Sequence, residues 1–367
     1  MARTIRNQYD KYLTYDNLMK SHYLTRKGKR LKKEVILFDM KREEYIEWLL
    51  EQLKTGQYRH GGYRKFIISV PKQREVEASR YIDRIVHRWV VDWFLKPYFE
   101  TQFIETTYAC IKDRGMHKAA LDVQKAMKHC KNTWNNYYIL KMDVAKYFQN
   151  IDKDILLRIL ARKIKDQKLM NLLRIIIYST RGKKGVPIGN YTSQTLANIY
   201  LNEVDQYAKH VLKCKYYFRY MDDTIILLET KEEAIDVLQK IKTFLADNLK
   251  LELNNKTQIF KSKQGVNFCG YKINEYRLKI RTRGKKSLKK KIKNLEKQIR
   301  IGKMSTKTSY RFLCGHIGYM QIADVHNLKD KLFIEGKVEV EWKRKRLLII
   351  EEEQECLKQE MQKMLRQ

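Results

Sequence analysis

The sequence predicts an α+β fold, in which helices pack on an antiparallel sheet that has acidic residues at one edge. The apolar stretch 138–143 predicts a buried strand that ends in Asp143. Apolar runs on both sides of Asp222 and Asp223 predict a β-hairpin with the two acids at its tip. Helical stretches lie between and after these strands. This order of elements brings the two acidic positions, far apart in sequence, to the same edge of one sheet.

Apolar spacing and turn residues assign the remaining elements in chain order. The predicted elements are a helix at 41–54, a hairpin at 64–78, a helix from 82 that ends at 96–97, the strand at 138–143, a helix that begins at 152 or 154 and continues to 164, helices at 170–178 and 193–210, the hairpin at 216–228, a helix at 231–248, a strand at 249–253, a hairpin at 268–271 and helices from 285. The helix at 41–54 is expected to place Tyr45, Trp48, Leu49 and Leu53 on one face.

The chain is strongly basic. It contains 77 Lys and Arg against 42 Asp and Glu, which gives a formal net charge of +35. Such a charge opposes compaction unless a polyanion relieves it, so nucleic acid is the predicted partner. A membrane surface is the rival polyanion, but the basic residues are spread along the chain and no apolar run is long enough to span a bilayer. The first residues also lack a signal-peptide core, so we predict a cytoplasmic protein without a membrane partner.

The six cysteines predict neither a metal site nor a disulfide framework. They lie at positions 110, 130, 214, 269, 314 and 356. No CxxC pair occurs, and no histidine accompanies the cysteines at the spacing typical of zinc ligands. We expect reduced and mostly buried thiols, as in cytosolic proteins.

Adjacent carboxylates inside an apolar hairpin carry a free-energy cost. Asp222 and Asp223 repel each other and lose water unless a cation binds there. Two Mg²⁺ ions with a triphosphate would relieve this cost, and a two-metal site needs carboxylates fixed on rigid strands, as Asp143 also would be. The alternatives are a polar turn at Tyr220-Met221-Asp222-Asp223, where Asp is common, and a helix cap at Asp143.

Five short motifs follow one another along the chain. They are Lys141-Met142-Asp143-Val144-Ala145-Lys146-Tyr147-Phe148, Ile188-Gly189-Asn190-Tyr191-Thr192-Ser193-Gln194, Tyr220-Met221-Asp222-Asp223, Leu253-Asn254-Asn255-Lys256-Thr257 and Phe268-Cys269-Gly270-Tyr271. These motifs resemble the palm of reverse transcriptases. The resemblance extends over residues 63–333 and implies a right-hand polymerase fold. The implied domains are a basic N-terminal extension at 1–60, fingers at 61–137, a palm with fingers elements at 138–280, a helical thumb at 281–335 and a charged helical tail at 336–367.

Within this superfamily the chain most resembles the reverse transcriptases of bacterial and phage diversity-generating retroelements. Ile188 stands where most relatives have glutamine before a glycine, and Ser193 is followed by Gln194 where they have proline. The segments 314–319 and 327–332 also resemble the thumb of that group. The resemblance implies an RNA-directed DNA polymerase that makes adenine-mutated cDNA from its own template RNA. Its partners would be dNTPs, the RNA/cDNA duplex and a small basic accessory protein, which can be oligomeric.

The resemblance also implies roles in catalysis. Asp143, Asp222 and Asp223 would hold two Mg²⁺ ions, for which Mn²⁺ could substitute, and Val144 would add its backbone carbonyl. Lys256 would protonate the departing pyrophosphate, with a plain surface lysine as the alternative.

Further residues would contact the nucleotide and the primer. The implied nucleotide-binding residues are Lys72, Arg74, Phe148, Ile188, Gly189 and Gln194, and the implied primer grip is Phe268, Gly270 and Tyr271. Phe148 occupies the steric-gate position, where a ring would clash with a ribose 2′-hydroxyl, although a core aromatic residue is the alternative. Lys72 and Arg74 would bind the triphosphate, or they are solvated residues of a turn. Gly189 would let the backbone approach the template or nucleotide closely.

Other interpretations stay open. An antiviral, abortive-infection or retron reverse transcriptase would keep the chemistry and change the biology, although no retron-type thumb signature is found. A group II intron protein is disfavoured because no nuclease or zinc-ribbon residues follow the thumb. A catalytically dead RNA-binding scaffold is disfavoured because Asp143, Asp222 and Asp223 are all present.

Overall fold

The computed structural model describes residues 4–69 and 73–325, which contain both helices and antiparallel strands and so confirm the α+β class. The helices are α1 (Tyr9–Tyr12), α2 (Tyr15–Arg26), α3 (Lys33–Met40), α4 (Arg42–Lys54), α5 (Tyr81–Val90), α6 (Lys96–Phe99), α7 (Met116–Trp134), α8 (Tyr147–Asn150), α9 (Lys153–Lys163), α10 (Gln167–Ile177), α11 (Tyr191–Gln206), α12 (Lys231–Leu249), α13 (Thr282–Arg300) and α14 (Thr306–Met320). The strands are β1 (Tyr63–Ile68), β2 (Arg74–Ser79), β3 (Tyr138–Asp143), β4 (Tyr216–Tyr220), β5 (Asp223–Leu228), β6 (Gln258–Lys261), β7 (Val266–Phe268), β8 (Tyr271–Ile273) and β9 (Leu278–Ile280). Lys72, Cys356, the segment 327–332 and the predicted tail at 336–367 lie outside the described residues.

The chain folds as two units, each with its own sheet. The first unit contains Met1–Gly115 and Trp134–Lys261, and the second contains Met116–Thr133 and Ser262–Gln367. The hairpin β1–β2 and the four-stranded sheet β4-β5-β3-β6 belong to the first unit. The three-stranded sheet β7-β8-β9 belongs to the second.

The four-stranded sheet aligns the predicted acids. Strand β3 lies between β5 and β6, and both pairings are antiparallel. Ile139 and Leu140 of β3 are fully buried, because β3 is interior to the sheet and helix α12 packs against it. The register pairs Asp143, the last residue of β3, with Asp223, the first residue of β5.

The N-terminal segment shares the core of the first unit. Ile5 forms a parallel bridge with Ile164, and the carboxylate of Asp166 accepts a hydrogen bond from the backbone N–H of Tyr9 at 2.8 Å. The ring of Tyr9 packs edge-on against Trp89 of α5, with 5.4 Å between ring centroids. These contacts fix the segment on the main body of the unit.

Side-chain caps explain where two of the predicted helices begin. Asp152 caps α9, because its carboxylate accepts hydrogen bonds from the backbone N–H groups of Asp154 and Ile155, both at 3.0 Å. The structure thereby chooses between the two caps that the sequence allowed. Thr230 caps α12 in the same way by accepting from the backbone N–H of Glu233 at 3.1 Å.

The strand predicted at 249–253 is wrong. Helix α12 continues to Leu249, and Lys250 then adopts the left-handed conformation of a helix C-cap, with φ of 51°. Only Leu253 makes a β-bridge in this stretch, with Val144. The fourth strand of the sheet is instead β6, which pairs with β3.

Two predicted helix features also differ from the structure. The helix expected to end at 96–97 continues through a π-helical segment at 91–95 into α6, because Pro97 lies in the first turn of α6, where no N–H is needed. In α4 the buried face carries Ile46 with Leu49 and Leu53, whereas Tyr45 and Trp48 are exposed. The apolar face is therefore rotated from the predicted one.

The cysteines of the described residues agree with one prediction and contradict another. All five described cysteines are free, as predicted. The expectation that most are buried is wrong, because only Cys130 and Cys214 are buried, and Cys110 and Cys314 are exposed. No helix in the described part of the chain is both long and apolar enough to cross a membrane.

The second unit is built around the predicted hairpin at 268–271. Phe268 and Tyr271 are fully buried. Cys269 and Gly270 have φ of 47° and 87°, as a two-residue hairpin turn requires. The ring of Tyr319 in α14 stacks on Tyr271, with 4.6 Å between ring centroids, so this helix is attached directly to the hairpin.

Candidate active site

The turn between β4 and β5 carries the predicted pair of acids. Strand β4 ends at Tyr220 and β5 begins at Asp223, so Met221 and Asp222 alone form the turn. Met221 has φ of 54°, a left-handed conformation that side chains rarely adopt and that tight hairpin turns favour. Asp143 lies opposite Asp223 in the register of the sheet. The structure therefore brings the three acids to one edge of the sheet.

The electrostatic cost of this arrangement falls on Asp222. Its pKa is raised from the ordinary value of 3.8 to about 6, first because burial removes water from the carboxylate and second because the negative charge of Asp143 is close. Asp223 raises the pKa of Asp222 further, by a smaller effect. Carboxylates that suppress one another's ionisation in this way favour a bound cation, because the positive charge offsets their mutual repulsion.

The other two carboxylates have partners of their own. The carboxylate of Asp223 forms an ion pair with Nζ of Lys141 at 3.1 Å, and that of Asp143 accepts a short hydrogen bond from the side-chain amide of Asn254. Within residues 4–69 and 73–325, no group of three or more His, Cys, Asp or Glu side chains is gathered closely enough to hold a metal ion. Among these described residues, the three acids thus share an edge without converging on one point, and the ammonium of Lys141 lies against Asp223.

The chemistry of the remaining donors suits a hard divalent cation. The carboxylates of Asp143 and Asp222 lie within hydrogen-bonding reach of each other, and Val144 follows Asp143 directly in the chain. Carboxylate and backbone carbonyl oxygens are the ligands that Mg²⁺ takes from proteins. The residues therefore fit a divalent ion held by Asp143, Asp222 and the carbonyl of Val144.

A cavity of about 680 Å³ lies between the hairpin β1–β2 and the loop before α11. Ile188 lines it, and the carbonyl of Ile188 accepts a hydrogen bond from the backbone N–H of Glu77 at 3.2 Å. Gly189 has φ of 116°, and a Cβ there would lie 2.9 Å from Cγ1 of Val76. Gly189 therefore permits a close approach to strand β2, and this fixes the position of Ile188.

A buried lysine organises the basic loop that follows α10. The ammonium of Lys153, a fully buried residue, donates hydrogen bonds to two oxygens of Thr180 and to the carbonyl of Gly182 at 2.8 to 2.9 Å. All three acceptors are uncharged, and burial lowers the pKa of Lys153. The loop thereby presents Arg181 and Lys184 to the cavity on a fixed backbone.

Three other predicted residues are exposed, namely Arg74, Gln194 and Lys256. Gln194 accepts a hydrogen bond from Sγ of Cys110 at 3.4 Å. The backbone N–H of Lys256 donates to Oδ1 of Asn254 at 2.7 Å. Because Asn254 also donates to the carboxylate of Asp143 in β3, its side-chain amide connects the turn of Lys256 to the acidic edge.

The remaining predicted residues are more deeply placed. Phe148 is half-buried against the core of the first unit. In the second unit the side chains of Phe268 and Tyr271 are fully buried, so contact with a primer at this hairpin would have to come from the turn at Cys269 and Gly270.

Residues 70–273 match the family profile of reverse transcriptase, the RNA-dependent DNA polymerase. This range covers more than half of the chain and contains all three acids. The chain belongs to the reverse transcriptase family. The predicted enzyme class, RNA-directed DNA polymerase, is therefore confirmed, and the α+β architecture agrees with it.

Individual relatives of this reverse transcriptase are distant. Protein YkfC of Escherichia coli (strain K12) is 26% identical over 271 residues, which cover 62% of this chain and 71% of YkfC. The group II intron-encoded protein LtrA of Lactococcus lactis subsp. cremoris is 23% identical over 340 residues, which cover 71% of this chain and 54% of LtrA. The chain thus spans about half the length of LtrA. A structure of telomerase from Candida albicans in complex with a fragment of telomeric RNA aligns with a TM-score of 0.48 and 13% sequence identity. The alignment covers 69% of this chain and 55% of that one. This similarity is too low to assign a role.

Membership in the reverse transcriptase family indicates which cofactor and which partner the site should accommodate. Reverse transcriptases generally use divalent metal ions and bind template RNA. The oxygen donors of Asp143, Asp222 and Val144 agree with the first property. The net charge of +35 agrees with the second.

Five residues of this reverse transcriptase touch the site or its supports and were not assigned from the sequence. They are Lys141, Lys153, Asp205, Arg219 and Asn254. Lys141 could have been found, because it lies two residues before a strand-end acid and so shares its face of the strand. Arg219 could have been suspected, because a charge inside an apolar strand requires a partner. Asn254 lies in one of the five motifs but was given no role there, and Lys153 and Asp205 gave no comparable indication.

Proposed function

We propose that this reverse transcriptase copies an RNA template into DNA by two-metal nucleotidyl transfer at the edge formed by Asp143 and Asp222. The observation that carries the proposal is that these two acids lie close together at a buried turn, where burial first and the charge of Asp143 second raise the pKa of Asp222 to about 6 and favour a bound cation. When bound, the divalent ions would lower the pKa of the primer 3′-hydroxyl and stabilise the charge of the departing pyrophosphate.

The protein's own residues would orient the reactants and select the nucleotide. Asn254 holds the carboxylate of Asp143 in a fixed orientation. Phe148 would exclude a ribose 2′-hydroxyl by steric contact. Lys256, on the turn held by Asn254, would donate a proton to the pyrophosphate. The basic loop that Lys153 organises would attract the phosphates of a nucleic-acid strand at the cavity.

Changing Asp222 and Asp223 together to Ala tests this proposal. Mg²⁺-dependent incorporation of dNTPs on a primed RNA template should fall by more than about 1,000-fold, because the metal ligand Asp222 is lost together with the second acid of the turn. RNA binding should stay nearly intact and should weaken steeply with salt, because affinity comes from the distributed charge of +35. Primer extension and filter binding measure the two effects.

A matched control is Asp236→Ala, which removes an exposed acid of α12 that pairs with Lys240. This variant should polymerise normally. Retained polymerisation by the double variant would contradict the assigned site. RNA binding that is insensitive to salt would contradict the electrostatic account.

We further propose that the enzyme serves a diversity-generating retroelement and makes adenine-mutated cDNA with the help of a small basic accessory protein. The support is Ile188, an apolar residue that lines the cavity at the position where most relatives have glutamine. A glutamine amide can hydrogen-bond a correctly placed nucleotide and penalise a misplaced one, whereas isoleucine offers only apolar contact. Low fidelity is the expected consequence.

The variant Ile188→Gln tests the role of this position. Misincorporation opposite template adenine should fall by about tenfold to a hundredfold, since one polar contact is worth roughly 1 to 3 kcal/mol. Ile188→Leu is the control, because it keeps an apolar contact and should leave the error rate unchanged. Sequencing of cDNA made by each enzyme on one template gives the result. Equal error rates at adenine in the parent and the glutamine variant would refute the proposed role.

A group II intron-type enzyme is the second candidate, and the similarity to LtrA at 23% identity favours it. Such an enzyme would need accurate copying of a long RNA, so its errors should be few and spread evenly over the four template bases. The same cDNA sequencing separates the two candidates. Errors concentrated at adenine favour the retroelement, and a flat error spectrum favours the intron type.

A further inference from the structure

A fully buried ion pair lies beneath the catalytic turn. The carboxylate of Asp205 in α11 is 0% exposed and the guanidinium of Arg219 in β4 is 1% exposed. Nε and one terminal nitrogen of Arg219 donate to the two oxygens of Asp205 at 2.6 and 2.5 Å, a bidentate arrangement. The pair is thus held in one geometry.

The neighbours complete the hydrogen bonding of Asp205. The hydroxyl of Thr107 donates to one oxygen at 2.9 Å, and the hydroxyl of Tyr217 donates to the other at 2.7 Å. A buried ion pair gains little stability over an apolar pair of the same size, because both charges lose their water. Stability alone therefore does not explain why the strand carries Arg219, and its remaining contacts become informative.

The third guanidinium nitrogen of Arg219 contacts the turn itself. It donates to the backbone carbonyl of Met221 at 3.0 Å and to Oδ1 of Asn198 at 3.1 Å. Met221 has the left-handed backbone and directly precedes Asp222. The peptide that links these two residues is therefore anchored, through Arg219, to the helix that carries Asp205.

We propose that Arg219 is a positioning residue, which fixes the peptide between Met221 and Asp222 so that the carboxylate of Asp222 is held beside that of Asp143. The inference rests on the function proposed above for Asp222. Arg219 acts through the backbone and does not touch the reacting atoms. Asp205 in turn orients Arg219, and the whole network is anchored in α11.

The double variant Arg219→Met with Asp205→Asn tests this role. It removes both buried charges together, and the new amide can still hydrogen-bond Thr107 and Tyr217, so the protein should fold. The affinity of the protein alone for Mn²⁺, measured by electron paramagnetic resonance, should fall by about 10- to 100-fold, as for other groups that orient metal ligands. The value of kcat should fall by about 100-fold, with the KM for dNTP within about threefold of the parent.

The control removes another Arg–Asp pair of the first unit, as Arg26→Met with Asp39→Asn. That pair joins α2 and α3 at 2.8 Å and does not contact the turn. Its Mn²⁺ affinity and kcat should match the parent. Parental Mn²⁺ affinity and kcat in the Arg219/Asp205 variant would overturn the proposal, because the network would then serve only folding.

A second variant covers the case in which the double variant does not fold. Arg219→Lys keeps a cation against Asp205 but loses the forked donor that reaches Met221. It should fold and show the same loss of Mn²⁺ affinity, and full Mn²⁺ affinity in this variant would also overturn the proposal. Failure of the proposed function is recognised separately, because Asp222→Asn would then bind Mn²⁺ and polymerise as the parent does.

Discussion

Two ion pairs adjoin the turn that carries Asp222, and they differ in how deeply they are buried. Arg219 and Asp205 are 1% and 0% exposed, and Asp205 accepts further hydrogen bonds from two hydroxyl groups. Lys141 and Asp223 are 17% and 31% exposed, and they form an ion pair at 3.1 Å. One pair lies beneath the turn in the core, and the other lies on the acidic edge.

The difference shows how burial decides the task of an ion pair. In the core no water can replace a lost partner, so Arg219 and Asp205 must keep one geometry and can hold the backbone. At the edge, water or a cation can replace Lys141 as the partner of Asp223, so that pair balances charge and can exchange. The site thus combines a rigid support with a replaceable counter-charge.

The buried pair should matter much more for stability than the pair at the edge. Asp205→Ala should lower the free energy of unfolding by about 3 to 5 kcal/mol, because it leaves Arg219 charged and buried without a partner. Asp223→Ala should change the free energy of unfolding by at most about 1 kcal/mol, since solvent reaches both partners. Urea denaturation in metal-free buffer measures both, and losses of similar size would contradict the distinction.

The stability of the acidic edge should depend on pH through Asp222. Because the folded protein raises the pKa of Asp222 from 3.8 to about 6, its protonated form is favoured on folding. In metal-free buffer this contribution is fully present below pH 3.8 and is lost as the pH rises through about 6. The free energy of unfolding should therefore fall between these values, with a slope of at most about 1.4 kcal/mol per pH unit.

The control for this effect is Asp222→Asn, which removes the titrating group and should remove the slope. The affinity for Mn²⁺ in the parent should change in the opposite direction, because only the ionised carboxylate binds metal. It should rise with pH up to about 6 and stay level above. A parent and variant with the same pH profile of unfolding would show that Asp222 is not the titrating group.

The smallest expected effect concerns the counter-charge. Lys141→Gln should tighten Mn²⁺ binding by about fivefold, because the removed ammonium repels the metal and competes for Asp223, an interaction worth about 1 kcal/mol. Lys240→Gln, which removes an exposed lysine of α12 paired with Asp236, should leave Mn²⁺ binding unchanged. Isothermal titration calorimetry gives both affinities. Weaker binding after Lys141→Gln would mean that the lysine supports the metal site rather than opposing it.

Much of the fold could be predicted from the sequence because the relevant information is local. The strand of Asp143, the hairpin of Asp223 and helix α12 follow from apolar spacing and turn residues in short windows. The strand predicted at 249–253 failed because Leu251 and Leu253 alternate as in a strand, while the left-handed cap at Lys250 sends that stretch into a loop. Local patterns do not reveal which of two apolar stretches pairs with β3.

The supports of the candidate site depend on contacts between distant residues. Arg219 meets Asp205 across 14 positions, Asn254 meets Asp143 across 111, and Lys141 meets Asp223 across 82. None of these pairs follows from spacing along one helix or strand. They can be recognised only when the sheet register and the packing of α11 are known.

Residue types and their periodicity are enough to specify the α+β class, the family and the edge of the sheet that carries the acids, because these are properties of the chain alone. The differences among the three acids depend on the folded structure. It placed Asp143 against Asn254, gave Asp223 the ammonium of Lys141, and left Asp222 with a raised pKa on a turn held from below. The physical reason is that desolvation and Coulomb interaction depend on distance in space, and in a folded chain that distance bears no fixed relation to distance in sequence.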